Sequence, residues 1–478
     1  MIRSPKFAAL LASAVLPLSA CATTTNNYNY SDGLSAAGEP DAQTPAKAKN
    51  VILFIGDGMG ISTITAARIY AGQKRGQTGE EYVLPFEAFE NVALVKTYNT
   101  NAQVPDSAGT ATAMHSGKKT RIGVLGIGPD AVRGDCASAL ANPLPLLGEE
   151  VKAKGLALGI VSTARLTHAT PASVYARSAD RNWEADAAIP EDQQGLGCDD
   201  IASQLISAEW DVALGGGLAA FFGSEFGGRR ADESANLPAN WAARTGGSFV
   251  RDAAELAAAP MDKPVLGIFS PSHMTYMAQR EETSAEPTLT DMTAQAMGRL
   301  QSDPDGYYLM VESGRIDHGH HAGRAGWALE ETVEFARAIQ YAIDNTDPEE
   351  TLILVTADHS HVFTIAGYPR RGNDILGLVV PPAEGGEEVA EAATAEDGKP
   401  YTTLGYGNGP GSIANMAERP MPETGVNAQQ QSAIPTGSET HAGEDVALYA
   451  QGPGAGEARG VMEQNKVYDI IRKAFGWE

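Results

Sequence analysis

The sequence predicts a doubly wound α/β/α sandwich around a central, mostly parallel sheet, and three observations lead there. Uninterrupted apolar runs recur along the chain, the pattern of strands buried on both faces. Stretches with helical spacing separate them. Several runs stop at a carboxylate, a histidine or a threonine, just past the strand ends where open α/β sheets hold their ligands.

At 478 residues, with 43% hydrophobic and 20% charged, the chain has ample material for a large core. A formal net charge of -25 argues against nucleic-acid binding, which needs a basic face. A small anionic substrate is compatible with it, because a local cation outweighs a screened surface field. Residues 1–20 read as a signal peptide: Arg3 and Lys6, then the short apolar run Phe7 to Leu18, then small residues. Leu18-Ser19-Ala20-Cys21 resembles a bacterial lipobox, which makes Cys21 the lipidation candidate; cleavage by ordinary signal peptidase near Ala20 or Ala22 is the alternative. The expectation is export, as a periplasmic or outer-membrane-attached lipoprotein that meets the membrane only through its N-terminal lipid. Residues 21–49 are polar and read as a flexible tether to a catalytic domain at 50–478. In an oxidising compartment the remaining pair, Cys136 and Cys198, favours a disulfide.

The first core element, Asn50 to Ile55, is a buried strand that ends in Gly56-Asp57-Gly58-Met59-Gly60, with a helix from about Ser62. This glycine pattern lacks the spacing of a dinucleotide fingerprint and puts a carboxylate where pyrophosphate would sit, so Asp57 suits a metal. A strand near Asn91 to Tyr98 leads to Pro105-Asp106-Ser107, where Ser107 opens a helix of small residues. Ser107 reads either as a cap or as a nucleophile whose anionic product the helix N-terminus would favour. Strand Leu156 to Thr163 opens into His168-Ala169-Thr170. Asp211 to Leu214 and Val265 to Phe269 extend the sheet, and Tyr307 to Val311 ends at Glu312. Thr351 to Ala357 ends at Asp358-His359-Ser360-His361. Gly367 to Gln431 reads as an excursion from the sheet, and Val446 to Ala450 as an edge strand.

The stretch from Glu312 to His321 is the densest in ligand-type residues. Asp317 and His321, one helical turn apart, suit one ion, and Glu312 another. His115 and His273 read as surface or satisfied-core residues, His361 as supporting, and His320 has no assigned role. Asp106, Asp211 and the run Glu387 to Asp397 read as local structure and solvated charge.

Together these motifs resemble the alkaline phosphatase family, animal-type branch. They are Gly56-Asp57-Gly58-Met59-Gly60, Pro105-Asp106-Ser107-Ala108-Gly109-Thr110, His168-Ala169-Thr170-Pro171, Gly314 to His321, Thr356 to His361 and Glu439-Thr440-His441-Ala442-Gly443. The resemblance implies a homodimer acting on small phosphate monoesters, with two Zn2+ and one Mg2+ per subunit. It implies Asp317, His321 and His441 on a first zinc, Asp358, His359 and Asp57 on a second, and Asp57, Thr170 and Glu312 on magnesium. Ser107 would be the phosphorylated nucleophile and Arg181 the fork on two phosphate oxygens, with His168 and His318 assisting beside the phosphate. Three divalent cations against four carboxylates and a serine alkoxide leave one positive charge, which Arg181 raises to two, the complement of a phosphate monoester dianion.

Histidine at positions 168 and 318 follows the animal type rather than the best-known bacterial enzymes. A nitrogen at the third site predicts easier zinc occupancy and a weaker hold on magnesium. Ser270 after Phe269 leaves the animal-type calcium site incomplete; Glu286 remains as a carboxylate that could serve it, but calcium is not expected. The excursion at about 367–431 resembles the animal-type crown. A sulfatase would need a Cys or Ser in a different context from Ser107, and a diesterase would lack the third-ion set with Arg181. A noncatalytic metal-binding lipoprotein would leave Ser107 unexplained.

Overall fold

In the computed structural model, which describes residues 47–383 and 391–477, β1 (Asn50–Gly56) runs into α1 (Ile61–Gln73). The signal peptide, Cys21, nearly all of the tether and the first part of the acidic run lie outside the described residues. Next come β2 (Asn91–Lys96), α2 (Ser107–Ser116), α3 (Cys136–Ala141), α4 (Leu147–Ala153), β3 (Ala157–Arg165) and α5 (Ala169–Ala172). α6 (Ile201–Ser207), β4 (Val212–Gly216), α7 (Leu237–Thr245), β5 (Ser248–Val250), α8 (Ala253–Ala258) and β6 (Val265–Ile268) follow. α9 (Leu289–Leu300) precedes β7 (Tyr307–Ser313), α10 (Arg315–His321) and α11 (Ala325–Asp344). β8 (Thr351–Ala357), β9 (Ser360–His361), β10 (Phe363–Ile365), β11 (Leu404–Gly409), β12 (Ser432–Pro435) and β13 (His441–Ala442) come next. β14 (Val446–Gln451), β15 (Gly460–Glu463) and α12 (Lys466–Phe475) complete the chain.

Ten of these strands form one sheet in the order β15-β2-β14-β8-β1-β7-β3-β4-β6-β5. All neighbours are parallel except the pairs made by β14, which runs antiparallel to both β8 and β2. This is the predicted α/β class. The apolar runs are strands because both faces are covered: Val51 through Ile55 and Tyr307 through Val311 have no exposed surface. Each such large side chain stabilises the fold by about 1.5–3 kcal/mol before chain entropy offsets it. Phe335 of α11 meets Phe54 of β1 edge-on at 5.9 Å, which seats this 20-residue helix over the middle of the sheet.

The expectation for Val446 to Ala450 is corrected. β14 lies inside the sheet between β8 and β2, and β15 and β5 are the edges. Both edges are strands of only 4 and 3 residues, too short to declare themselves by alternation.

Parallel order fixes where the site forms. β8, β1, β7 and β3 are neighbours, and their register sets Gly56 opposite both Ser313 and Ala357, and Glu312 opposite Ser162. The residues just past these ends, Asp57, Asp358 and the segment before α5, therefore share one rim of the sheet with Glu312. A separate three-stranded sheet, β10-β11-β12, draws on residues either side of and within the predicted excursion. Among the described residues no helix is long and apolar enough to cross a membrane.

Candidate active site and metal centre

Asp57 reaches the rim on a turn whose next residue, Gly58, has φ +70°. A Cβ there would sit 2.3 Å from His361 Nε2, so the left-handed backbone and the close approach both require glycine. Asp57 is fully buried, and among the described residues neither of its carboxylate oxygens has a hydrogen-bond partner. Asp358 accepts at Oδ1 from the amides of Gly58 (3.0 Å) and His359 (2.9 Å), while its Oδ2 is unpartnered. Glu312 accepts from the Ser162 hydroxyl at Oε2 and leaves Oε1 free, and the buried Thr170 hydroxyl is also unpartnered. Unpaired buried carboxylate oxygens facing one another are costly, and a cation is what relieves them.

The electrostatics agree. Burial, with the Asp358, Asp317 and Glu312 carboxylates, pushes Asp57 well above the usual carboxylate range. Burial raises Glu312 to about 7 against the pull of the Ser162 hydroxyl. Asp358 is raised by burial, and the Gly58 amide opposes the shift. Asp317 goes the other way: burial alone would raise it, but His321, His361 and His441 outweigh that and hold it well below.

Three imidazoles gather on Asp317 Oδ1: His321 Nε2 at 3.2 Å, His441 Nε2 at 3.3 Å and His361 Nε2 at 2.9 Å. His321 Nδ1 donates to the Glu439 carbonyl (2.6 Å) and His441 Nδ1 to the Pro105 carbonyl (2.8 Å), so each turns Nε2 toward Asp317 as a nitrogen of metal-ligand type. His361 uses both nitrogens, Nε2 on Asp317 and Nδ1 on Glu439 Oε2 at 2.5 Å, which makes it a support for Asp317. Burial disfavours its charge, yet the bonds to Asp317 and Glu439 win and raise it to about 9. His359 Nε2 lies 3.4 Å from both Asp57 Oδ1 and Asp358 Oδ2. The donor atoms cluster as Asp57, Asp358 and His359; as Asp57, His168 and Glu312; and as Asp317 and His441 with His359 and His361. A further cluster joins His321 to His361 and Glu439.

Ser107 is the first residue of α2, buried, with Oγ 3.1 Å from His359 Nε2. Asp106 caps the helix, accepting from the Gly109 amide at 3.1 Å. That cap is the local structure expected of Asp106, but the expectation of solvated charge is corrected, because it is buried and Arg181 Nη1 donates to its Oδ2 at 3.0 Å. Although burial opposes ionisation, Arg181 and the amides of Gly123 and Gly109 keep Asp106 below the usual range. Arg181 Nη2 lies 3.0 Å from His168 Nε2. A cavity of about 340 Å³ opens here, bordered by Ser107, Arg181, Asp317, His318, His321 and His441.

The structure thus brings Asp57, Ser107, His168, Thr170, Arg181, Glu312, Asp317, His318, His321, Asp358, His359 and His441 to one rim. Cys136 and Cys198 lie apart from it and are bonded to each other. His273, read as surface or core, instead borders the cavity, its ring 4.0 Å from that of His318. His115 is a satisfied core residue, bonded to the Ala111 carbonyl and the Tyr308 hydroxyl. His320 is likewise structural, held between Thr63 and Tyr406. Glu439 was missed as a site residue. Its only signal in the sequence is its place two residues before His441.

A family model described as alkaline phosphatase matches residues 48–477. The chain is 43% identical over 442 residues to the tissue-nonspecific alkaline phosphatase isozyme of Gallus gallus, covering 88% of this chain and 83% of that protein. It is 42% identical over 443 residues to an alkaline phosphatase of Gadus morhua, covering 88% and 90%. Among solved structures it is similar to Thermus thermophilus alkaline phosphatase, with TM-score 0.67 and 24% identity, covering 92% and 96%.

Proposed function

The chain belongs to the alkaline phosphatase family and hydrolyses phosphate monoesters in a metal-dependent reaction, and on that premise we propose that Ser107 is its nucleophile and Arg181 its phosphate fork. The observation that carries this assignment is the set of oxygens on Asp57, Glu312, Thr170 and Asp358 unpartnered among the described residues, with His359 Nε2 joining Asp57 and Asp358 to Ser107 Oγ. Asp317, His321 and His441 would hold one Zn2+, Asp57, Asp358 and His359 a second, and Asp57, Thr170 and Glu312 one Mg2+. Bound there, the cations supply Lewis acidity that lowers the pKa of a hydroxyl or water and offsets charge on phosphoryl oxygens.

The chain's own residues do the rest. Position at the N-terminus of α2 sets Ser107 at the positive end of the helix dipole, which favours an anionic phosphoryl group there. Asp106 and His168 hold the Arg181 guanidinium from two sides, so its planar fork meets two phosphoryl oxygens already oriented. Ser107 attacks phosphorus to give a phosphoserine and release the alcohol; water then attacks the phosphoserine and releases inorganic phosphate. His318, neutral because burial depresses it to about 3, and His168, also depressed by burial and by Arg181, face the phosphate side without adding charge.

The assignment is tested by rapid quench with an aryl phosphate: a burst of one phenol per site is expected as the phosphoserine forms, and Ser107→Ala is expected to lose it. Faster turnover of a bis-aryl phosphate than of the monoester would overturn the substrate class. His168 at the third site supports a second expectation, that zinc enters there readily and magnesium is held weakly. Metal analysis after dialysis with and without magnesium checks it; strict retention of one magnesium counts against it. We further propose a homodimer, with the 367–431 excursion as its crown, and export as a lipoprotein acylated at Cys21. The sequence features at residues 1–21 support the export reading.

A further inference from the structure

We propose that the lobe closed by the Cys136–Cys198 disulfide aims the Arg181 guanidinium, so that the bridge sets phosphate affinity; this rests on the reading of Arg181 as the phosphate fork. A small apolar core, separate from the main one, contains Val124, Ile127, Cys136, Ala139, Ala179 and Trp183. Arg181 lies between two of its members, so its backbone belongs to this lobe and not to the central sheet.

The strip from Ser178 to Glu184 is gripped from two sides. On one side Arg181 N donates to Gly123 O (2.9 Å), Ser178 N to Leu125 O (2.9 Å) and Gly134 N to Ala179 O (2.9 Å). Arg133 forks Asp180 there, with Nε–Oδ2 at 2.8 Å and Nη2–Oδ1 at 3.1 Å. On the other side Ile201 N donates to Trp183 O (2.9 Å) and Ala202 N to Glu184 O (3.1 Å). Cys136 lies at the end of the first jaw and Cys198 just before the second, and their bond joins the two. The first jaw also reaches the carboxylate that orients the fork: Gly123 N donates to Asp106 Oδ1 at 3.0 Å, and Asp106 Oδ2 accepts from Arg181. Loosening the jaws therefore displaces both the backbone that carries the guanidinium and the anion that aims it.

The test is a double-mutant cycle on the metal-loaded enzyme. Cys136→Ala/Cys198→Ala is made in the native and in the Arg181→Ala background, and the inhibition constant of inorganic phosphate is measured in all four proteins. Removing the bridge is expected to raise it about tenfold with Arg181 present, and by less than about twofold with Arg181 absent. An equal rise in both backgrounds, or none in either, overturns the proposal. If Arg181→Ala alone leaves phosphate inhibition unchanged, it is the assignment of Arg181 that fails, and this inference falls with it. Should the bridgeless protein not accumulate, Arg133→Ala opens the same jaw by removing the fork on Asp180, and the same criteria apply.

Discussion

At the N-cap of α2, Asp106 gives Oδ1 to the amides of Gly109 and Gly123 and Oδ2 to Arg181. Asn at this position would keep a carbonyl for the cap but lose the charge that pairs the guanidinium. A charge-assisted bond is worth roughly 1.5–3 kcal/mol, so Asp106→Asn is expected to weaken phosphate inhibition about tenfold or more while changing thermal stability far less. Steady-state inhibition and a melting curve on the same preparation check this; unchanged inhibition would remove Asp106 from the site. The sequence placed Asp106 correctly before a helix but gave no sign of its pairing with Arg181, which is 75 residues away. The same holds for Glu439. Its buried carboxylate holds His361 and the Val362 amide, contacts that no local pattern encodes.

At the scale of elements, the turn after β1 and the start of α10 decide the metal centre together. Gly58 is where they touch, since a Cβ would meet His361 Nε2 at 2.3 Å and the Asp317 Cα at 3.2 Å. Gly58→Ala combines a left-handed backbone that alanine resists with a collision against the residue that supports Asp317. It is expected to lower zinc content and activity together, by about tenfold or more, and metal analysis of the purified variant reads the first directly; full zinc with full activity would refute it. The apolar runs made β1, β3, β4, β6, β7 and β8 legible, because strands buried on both faces leave an unbroken signature. β14 was legible as a strand but not in its place. An antiparallel strand inserted between two parallel ones has the same composition as an edge strand, and only pairing separates the two.

For the whole molecule, the buried charges make stability depend on bound cations and on pH. His361 has a folded value raised to about 9 from an ordinary 6.5 by Asp317 and Glu439. Its contribution is therefore fully present below pH 6.5 and is lost as pH rises through about 9, on the order of 3 kcal/mol in all. Glu312, raised to about 7 from an ordinary 4.5, loses its contribution in the same direction but between about pH 4.5 and 7, mostly below the His361 window. The histidines depressed by burial are neutral in both folded and unfolded chains above pH 7.5 and do not oppose the trend. Chelator-treated protein is accordingly expected to melt at progressively lower temperature from pH 7.5 to 10. His361→Gln should flatten that slope. The metal-loaded protein should melt higher throughout, because binding to the folded state alone stabilises it by mass action. A chelated protein with the same melting temperature across this range would refute the assignment of His361.

By itself the sequence determined the α/β class and the residues that end the central strands, because both are written locally, in apolar runs and in the polar residues that stop them. It also offered candidate ligands in short motifs, though not Glu439. Tertiary structure alone decided which ligand faces which. His321, His361 and His441 meet on Asp317 only because α10, β9 and β13 converge. Arg181 stands beside Asp106 only because a separate, disulfide-closed lobe carries it there. Hydrogen-bond direction and burial are properties of packed neighbours, and neighbours far apart in the chain leave no mark on one another's sequence.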